Sequence, residues 1–139
     1  MRNNTKTMTQ VYIGVGSNVG DRKRNIETAI EKLQNIEGVE VTRVSSLIET
    51  EPEGGPPQNK FLNGAIEIKT RLSPDGLLRQ LKKIEKKLGR IRTVKNGPRS
   101  IDLDILTFGN RKINTPHLKI PHPRMHKRGF VMRPLKELL

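Results

Sequence analysis

The sequence contains no cysteine and no tryptophan, and it has only one tyrosine and three phenylalanines among 139 residues. Without cysteine, a disulfide framework and a thiolate metal site are both excluded. The few aromatic rings argue against a dedicated single-strand nucleic-acid module, because such modules stack bases on aromatic side chains. No apolar run approaches the roughly 18 residues of a membrane span, and the polar N-terminus lacks the apolar segment of a secretory signal. We therefore expect a cytoplasmic protein.

Acidic residues are also scarce, since 27 Lys and Arg residues face 14 Asp and Glu residues and the formal net charge is +13. A strongly basic chain favours anionic partners such as nucleotides, phosphorylated metabolites, nucleic acid or an anionic membrane surface. Charge alone does not choose among these. The chain is long enough to bury a core without disulfides. We predict one domain over residues 11–139, preceded by a disordered tail over residues 1–10.

Hydrophobic periodicity predicts the order β-α-β-β-α-β. Strands are expected over residues 11–18, 39–48 and 61–68 and at the Asp-x-Asp run. Asp21 caps the first predicted helix, and Ser73-Pro74 begins the second. This order is typical of a ferredoxin-like α+β sandwich, with an antiparallel sheet, helices on one face and the active site on the open side. The proline-rich remainder predicts loop, a short hairpin and a final helical turn around residues 135–139.

The most informative segment is the run Gly-Pro-Arg-Ser-Ile-Asp-Leu-Asp-Ile-Leu over residues 97–106. On a strand, the period of two places Asp102 and Asp104 on one face and the apolar residues on the other. Two carboxylates roughly 7 Å apart along a strand resist burial unless a cation lies between them. Magnesium is the obvious candidate, because it takes oxygen ligands and bridges substrate phosphates.

Two interpretations of the carboxylate pair remain open from its spacing alone. One is a pair of solvated side chains on the wet face of a half-buried sheet. The other is a phosphoryl-transfer site, which is favoured by the basic residues around the pair, Arg99, His122 and Arg128. Alternation on the third predicted strand places Phe61 and Asn63 on the same open face. Taken singly, an aromatic ring and an amide are more often packing or edge residues.

Other segments resemble nucleotide- or metal-binding motifs without matching them. The glycines between Gly14 and Gly20 do not have Gly-x-Gly-x-x-Gly spacing, so they are interpreted as allowing a tight turn and close helix–sheet packing. No P-loop signature is present. The histidines lack the cysteine partners of a zinc site. His122 is either a phosphate donor beside Arg128 or a surface-loop residue.

Taken together, these elements resemble the 6-hydroxymethyl-7,8-dihydropterin pyrophosphokinase family, from about Val11 to the last residue. The Gly-Pro-Arg-x-x-Asp-x-Asp element is highly specific to that family. The segments that carry the resemblance are residues 12–18, Asn63, Gly89-Arg90, residues 97–106, residues 120–122 and residues 128–130.

The resemblance implies a magnesium-dependent transfer of pyrophosphate from ATP to the hydroxymethyl group of a reduced pterin, releasing AMP, in folate biosynthesis. It implies two magnesium ions, bound with ATP by Asp102 and Asp104. Its partners would be ATP and the pterin. The resemblance also implies a monomer that binds neither nucleic acid nor a membrane. The implied catalytic residues are Arg90, Arg99, Asp102 and Asp104; those for ATP are Glu85, Arg92, Ile105, His122 and Arg128; those for the pterin are Thr50, Pro52, Phe61, Asn63 and Phe130.

Two other function classes stay open at this point. A ferredoxin-like RNA-binding module fits the predicted fold and the positive charge, although the aromatic strand motif of such modules is missing. A relative that binds ATP or pterin without chemistry also fits. The chain differs from the common family pattern at Glu51, Glu53 and Asn96, which lie near the implied pterin site. Magnesium-dependent turnover would separate the enzyme from both alternatives.

Overall fold

The computed structural model describes residues 7–52, 54–89, 99–125 and 128–139 of the chain. In this part of the chain the strands and helices follow the predicted order, except that the second predicted strand is divided in two and a third helix ends the chain. The elements are β1 (Thr9–Ser17), α1 (Arg22–Gln34), β2 (Val39–Val44), β3 (Ile48–Thr50), β4 (Phe61–Thr70), α2 (Pro74–Lys87), β5 (Asp102–Phe108), β6 (Ile113–Asn114), β7 (Lys119–Ile120) and α3 (Gly129–Leu138). None of these helices is long and apolar enough to cross a membrane.

The main sheet is antiparallel and has the strand order β2-β4-β1-β5, with the short β3 also paired to β4. Helices α1 and α2 cover one face, where Leu33 and Leu81 pack on a core that includes Ile13 and Ile66. Strand β5 contributes Leu103 to the same core. The α+β architecture and the burial of the apolar face of the Asp-x-Asp strand are therefore confirmed.

The two predicted helix starts are confirmed at the level of single hydrogen bonds. The Asp21 carboxylate accepts from the backbone N–H of Arg24 at 3.1 Å, and the Ser73 hydroxyl accepts from the N–H of Gly76 at 3.0 Å. Each cap satisfies one of the donors that a helix N-terminus leaves without an intrahelical partner. These caps fix the residue at which each helix begins.

Three predictions need correction. The strand predicted over residues 39–48 is two strands, β2 and β3. Between them the backbone N–H of Ser45 still donates to the carbonyl oxygen of Ala65 at 2.9 Å, but it is the Ser45 hydroxyl that accepts from the N–H of Ala65, at 2.8 Å. The terminal turn is a ten-residue helix, α3, and it lies on the face that was predicted to be open. The N-terminal tail was predicted through residue 10, but β1 already begins at Thr9; residues 1–6 lie outside the described part.

Helix α3 is held against the sheet by a second, smaller core. Leu135 and Leu138 pack with Ala65 of β4 and Leu106 of β5. At its C-terminal end the helix is bound by Arg43, whose guanidinium donates to the carbonyl oxygens of Leu138 at 2.8 Å and Glu137 at 3.2 Å. The carboxylate of Glu137 in turn accepts from the N–H of Ser46 at 2.9 Å. The helix is therefore anchored at its far end, and its first turn is directed towards the middle of the sheet.

A buried polar cluster lies on the same face, beside α3. Glu67 is only 6% exposed, and its carboxylate accepts from Gln10 at 3.1 Å, from Tyr12 at 2.9 Å and from Thr42 at 2.7 Å. The hydrogen bond from Thr42 is the main cause that holds the pKa of Glu67 below its usual value, against the opposing effect of burial. The cluster thus keeps a charged carboxylate stable inside the sheet face.

We expect Glu67→Gln to destabilise the protein by about 2 kcal/mol at pH 7, the scale of a hydrogen bond to a charged group. Because the folded-state pKa is depressed, this stabilisation exists above the unfolded pKa of about 4.5 and is lost as pH falls through the folded value. Urea denaturation at pH 7 and pH 3 should therefore show the difference between wild type and variant shrinking in acid. Glu40→Gln, at an exposed position of β2, is the matched control; an equal loss at both pH values would contradict the prediction.

Candidate functional site

A cavity of about 320 Å³ opens on the α3 face of the sheet, beyond the first turn of that helix. Its walls come from four strands, from the segments before β5 and after β7, and from α3. The cavity-lining residues are Gly14, Val15, Gly16, Thr50, Glu51, Phe61, Asn63, Gly64, Arg99, Asp102, Asp104, Leu106, His122, Arg128, Phe130 and Val131.

The floor of the cavity is the backbone of β1. A Cβ atom on Gly16 would lie 2.5 Å from Oδ1 of Asn63, so only glycine lets that amide lie against the strand. A Cβ on Gly14 would only touch Leu106, at 3.4 Å. The sequence interpretation of these glycines as a turn and a helix-packing device is wrong for Gly14 and Gly16. It holds for Gly20, which has a φ of 70°.

One end of the cavity combines aromatic rings with a held amide. Asn63 is buried, and its Nδ2 donates to the hydroxyl of Thr50 at 2.6 Å. Phe61, two residues earlier on the same strand face, lines the cavity, as does Phe130 from α3. The Phe130 ring lies 5.4 Å from the guanidinium carbon of Arg128, a cation–π distance. Two rings and one oriented amide suit a flat heterocycle with a donor–acceptor edge.

The other end of the cavity is acidic at its base and basic at its rim. Asp102 and Asp104 both line it, as the period of two on β5 predicted. Burial, together with the negative charges of Asp102 and Glu85, raises the pKa of Asp104 to about 7. Arg99, His122 and Arg128 complete this end. Burial and the neighbouring Arg128 lower the pKa of His122, so that the imidazole is mainly neutral at pH 7.

The carboxylate pair suits a hard divalent cation. Burial and the negative charges of Asp102 and Glu85 raise the pKa of Asp104, so a second negative charge at this place is costly, and a cation between the carboxylates would reduce that cost. Within the described ranges, no group of three or more acidic, histidine or cysteine side chains gathers as a complete metal site. A pair of carboxylates is what magnesium uses when substrate phosphates and water supply its remaining ligands.

The structure brings most of the predicted site residues to this cavity and places others elsewhere. Ile105 is 4% exposed and packs in the core beneath the sheet, and Pro52 is outside the cavity wall. Glu85 is buried on α2, where its Oε2 accepts from the N–H of Leu103 at 2.9 Å. It therefore acts on Asp104 by its charge from behind β5. Arg90 and Arg92 lie outside the described residues.

Several lining residues were not predicted as site residues. Gly16 and Gly64 were missed because a glycine that makes room for a neighbouring strand's side chain leaves no signal in its own sequence. Val131 was missed because the helix that carries it was not predicted. Glu51 was noted only as a departure from the family pattern, and the structure places it on the cavity wall. Strand pairing of β1 with β4 and β5 was the information needed to find the glycines.

We expect Gly16→Ala to weaken binding at the Asn63 end of the cavity by about tenfold, because the new methyl group must displace the Asn63 amide. Thermal unfolding should change little, since the displaced group faces a cavity. Gly129→Ala is the control, because a Cβ there meets no atom within 4 Å although the residue lies next to Phe130. The affinity is measured by titrating both variants with a flat heterocycle that carries a donor–acceptor edge. Equal affinity in the two variants would contradict the prediction.

Comparison with known proteins relates this chain to one protein family. Residues 12–139 match the family model described as 7,8-dihydro-6-hydroxymethylpterin-pyrophosphokinase. The chain is 50% identical over 127 residues to 2-amino-4-hydroxy-6-hydroxymethyldihydropteridine pyrophosphokinase of Bacillus subtilis, an alignment that covers 91% of this chain and 76% of the relative.

Two further relatives come from distant organisms. The protein of the same name from Aquifex aeolicus is 46% identical over 131 residues, covering 94% of this chain and 81% of that protein. The mitochondrial folate synthesis bifunctional protein of Pisum sativum is 47% identical over 130 residues, which are 94% of this chain and 25% of the relative.

Proposed function

Because the chain belongs to the 7,8-dihydro-6-hydroxymethylpterin-pyrophosphokinase family, we propose that it transfers pyrophosphate from ATP to 6-hydroxymethyl-7,8-dihydropterin in folate synthesis. The hydroxymethyl oxygen attacks the β-phosphorus of ATP, the bond from that phosphorus to the α-phosphate bridging oxygen breaks, and AMP leaves. The hydroxyl proton is released, and the pterin carries the pyrophosphate. One observation carries the proposal: a single cavity joins a ring-and-amide end to a two-carboxylate end rimmed by basic side chains.

The pterin occupies the end formed by Phe61, Phe130 and Asn63. Its flat ring lies between the two aromatic side chains, and the Asn63 amide pairs with its polar edge. The hydrogen bond from Asn63 to Thr50 fixes the amide before the ligand arrives, which lowers the ordering cost of binding. The hydroxymethyl group then extends towards Asp102 and Asp104. This orientation supplies the positioning on which transfer between two bound substrates depends.

The ATP phosphates occupy the other end, where Arg99, His122 and Arg128 are able to bind their oxygens. Asp102 and Asp104 would hold two magnesium ions, which neutralise phosphate charge and polarise the phosphoryl oxygens when they are bound. Phosphoryl transfer requires mostly positioning and electrostatic stabilisation. Arg99 and Arg128 supply fixed positive charge to that end, and the rings of Phe61 and Phe130 exclude water beside it.

The strand order supports a finer classification of the fold. We propose a ferredoxin-like sandwich with α3 added on the other face, a classification that the order β2-β4-β1-β5 and the two helices on one face support. The described lining residues of a single chain already supply both the ring-and-amide end and the two-carboxylate end, and we propose a monomer as the active species.

The test is AMP release from ATP, measured with and without 6-hydroxymethyl-7,8-dihydropterin, in magnesium and in excess chelator. We expect AMP only when the pterin and magnesium are both present. AMP release that does not depend on the pterin would contradict the assignment. Tight RNA binding with a steep salt dependence and no turnover would support the RNA-binding alternative instead.

A further inference from the structure

Asn18 forms two hydrogen bonds with the backbone of Arg99, which lies three residues before β5. It follows directly after β1, and its backbone N–H donates to the carbonyl oxygen of Arg99 at 3.0 Å. Its side-chain Oδ1 accepts from the backbone N–H of Arg99 at 2.7 Å. Main chain and side chain of one residue thus bind both backbone groups of Arg99. The contact continues the β1–β5 pairing past the end of the ladder at Asp102.

The other half of the same amide holds a different segment. Nδ2 of Asn18 donates to Oε1 of Gln58 at 2.8 Å and to the carbonyl oxygen of Asn59 at 3.0 Å. Gln58 and Asn59 lie three and two residues before Phe61, the aromatic wall of the pterin end. Asn18 is 1% exposed, and it is not among the residues that line the cavity. A buried amide whose donors and acceptor are all engaged is costly to replace.

We infer that Asn18 is a positioning residue that sets Arg99 at the phosphate end and Phe61 at the pterin end from one buried amide, without contacting either substrate. The inference rests on the proposed function for its kinetic consequences. Its structural content is independent of that function, because the hydrogen bonds to Arg99 and to Gln58 and Asn59 exist in the protein alone.

Loss of the acceptor and loss of the donors of the Asn18 side-chain amide have separable effects. Loss of the acceptor releases the N–H of Arg99 and leaves its carbonyl oxygen bound to the backbone N–H of residue 18. A displacement of about 1 Å in a phosphate-binding group is enough to cost about a hundredfold in rate. Loss of the donors releases the segment before Phe61, which loosens the pterin wall and raises the KM for the pterin. Aspartate keeps the acceptor and replaces the donors by an oxygen that faces two acceptor oxygens, whereas alanine lacks both acceptor and donors. The pair of variants therefore distinguishes the effect of the acceptor from the effect of the donors.

The first measurement is amide hydrogen exchange at Arg99, in the whole protein without substrates. Asn18→Ala should speed exchange of the Arg99 N–H by at least about tenfold, and Asn18→Asp should leave it within about threefold of wild type. Asn25→Ala is the matched control, because the Asn25 amide donates to Ser17 and Val19 of the same turn instead of to Gln58 and Asn59. Unchanged exchange at Arg99 in Asn18→Ala would overturn the inference.

The second measurement is steady-state kinetics of AMP release per folded molecule. Asn18→Ala should lower kcat by about a hundredfold and raise the KM for the pterin, whereas Asn18→Asp should raise that KM about fivefold with kcat nearly kept. A purely structural role would lower the melting temperature and leave both constants unchanged, which would also overturn the inference. If wild type releases no AMP with the pterin, the proposed function fails, and the exchange experiment still decides what Asn18 does to Arg99.

Discussion

Asp102→Asn is expected to lower the rate of pterin-dependent AMP release about a thousandfold while the pterin still binds with nearly its wild-type affinity. The substitution preserves the shape of the side chain and removes the charge that a divalent cation requires. Stabilisation of phosphoryl charge by such a cation is worth several kcal/mol, and each 1.4 kcal/mol corresponds to a factor of ten in rate. The pterin contacts of Phe61 and Asn63 at the other end of the cavity remain.

The measurement is kcat at saturating ATP and magnesium, together with pterin affinity by direct titration. Asp75→Asn is the matched control, because Asp75 is a carboxylate in the first turn of α2 with 62% of its side chain exposed. It should keep wild-type kcat. A variant Asp102→Asn that turns over within tenfold of wild type would disprove the two-cation arrangement. Loss of pterin binding in the same variant would show that the two ends of the cavity are not separate.

Asp104→Asn is expected to be inactive and, in metal-free buffer above pH 7, more stable than wild type by about 1–2 kcal/mol. Burial and the charges of Asp102 and Glu85 raise the pKa of Asp104 from 3.8 to about 7. A carboxyl with a raised folded-state pKa binds its proton more tightly when folded, so it costs stability as pH rises from 3.8 towards 7. Each unit of pKa is about 1.4 kcal/mol, and screening at the open side of the cavity reduces this cost.

Thermal or urea unfolding in chelator at pH 4 and pH 8 checks the second prediction. The stabilising effect of Asp104→Asn should be present at pH 8 and absent at pH 4, because the carboxyl is already protonated in acid. Asp75→Asn should show no such pH-dependent gain. A destabilised Asp104→Asn at pH 8 would mean that the carboxylate is compensated by neighbouring groups in the protein itself, and that a cation is not needed to hold it.

The strand and helix pattern was readable because local signals agreed with the fold. Asp21 and Ser73 cap the helices that their positions predicted, and the alternation around Asp102 and around Asn63 gave the correct faces of β5 and β4. Those two strands do not pair with each other; β1 lies between them. Assigning each side chain to a face of its strand was therefore enough to predict that Asp102 and Asn63 share one cavity, without knowledge of the strand order.

What the sequence could not predict depends on contacts between distant segments. Helix α3 contains Pro134, which lacks an N–H to donate to the carbonyl of Phe130, so its sequence resembles a loop. The helix exists because Leu135 and Leu138 bury themselves against β4 and β5 and because Arg43 binds its last carbonyl oxygens. Tertiary packing of this kind overrides local propensity.

The outer edge of β5 has a consequence for how the protein behaves at high concentration. In the described sheet β5 is an edge strand, and such a strand can recruit the same strand of another molecule. Here the edge is occupied, since Glu85 accepts from the N–H of Leu103 at 2.9 Å and the N–H of His122 donates to the carbonyl of Leu106 at 2.9 Å. The buried Glu85 carboxylate, whose charge acts on Asp104 in the cavity, therefore also blocks strand pairing at this edge. Glu85→Leu is expected to free the N–H of Leu103 and to promote self-association through β5.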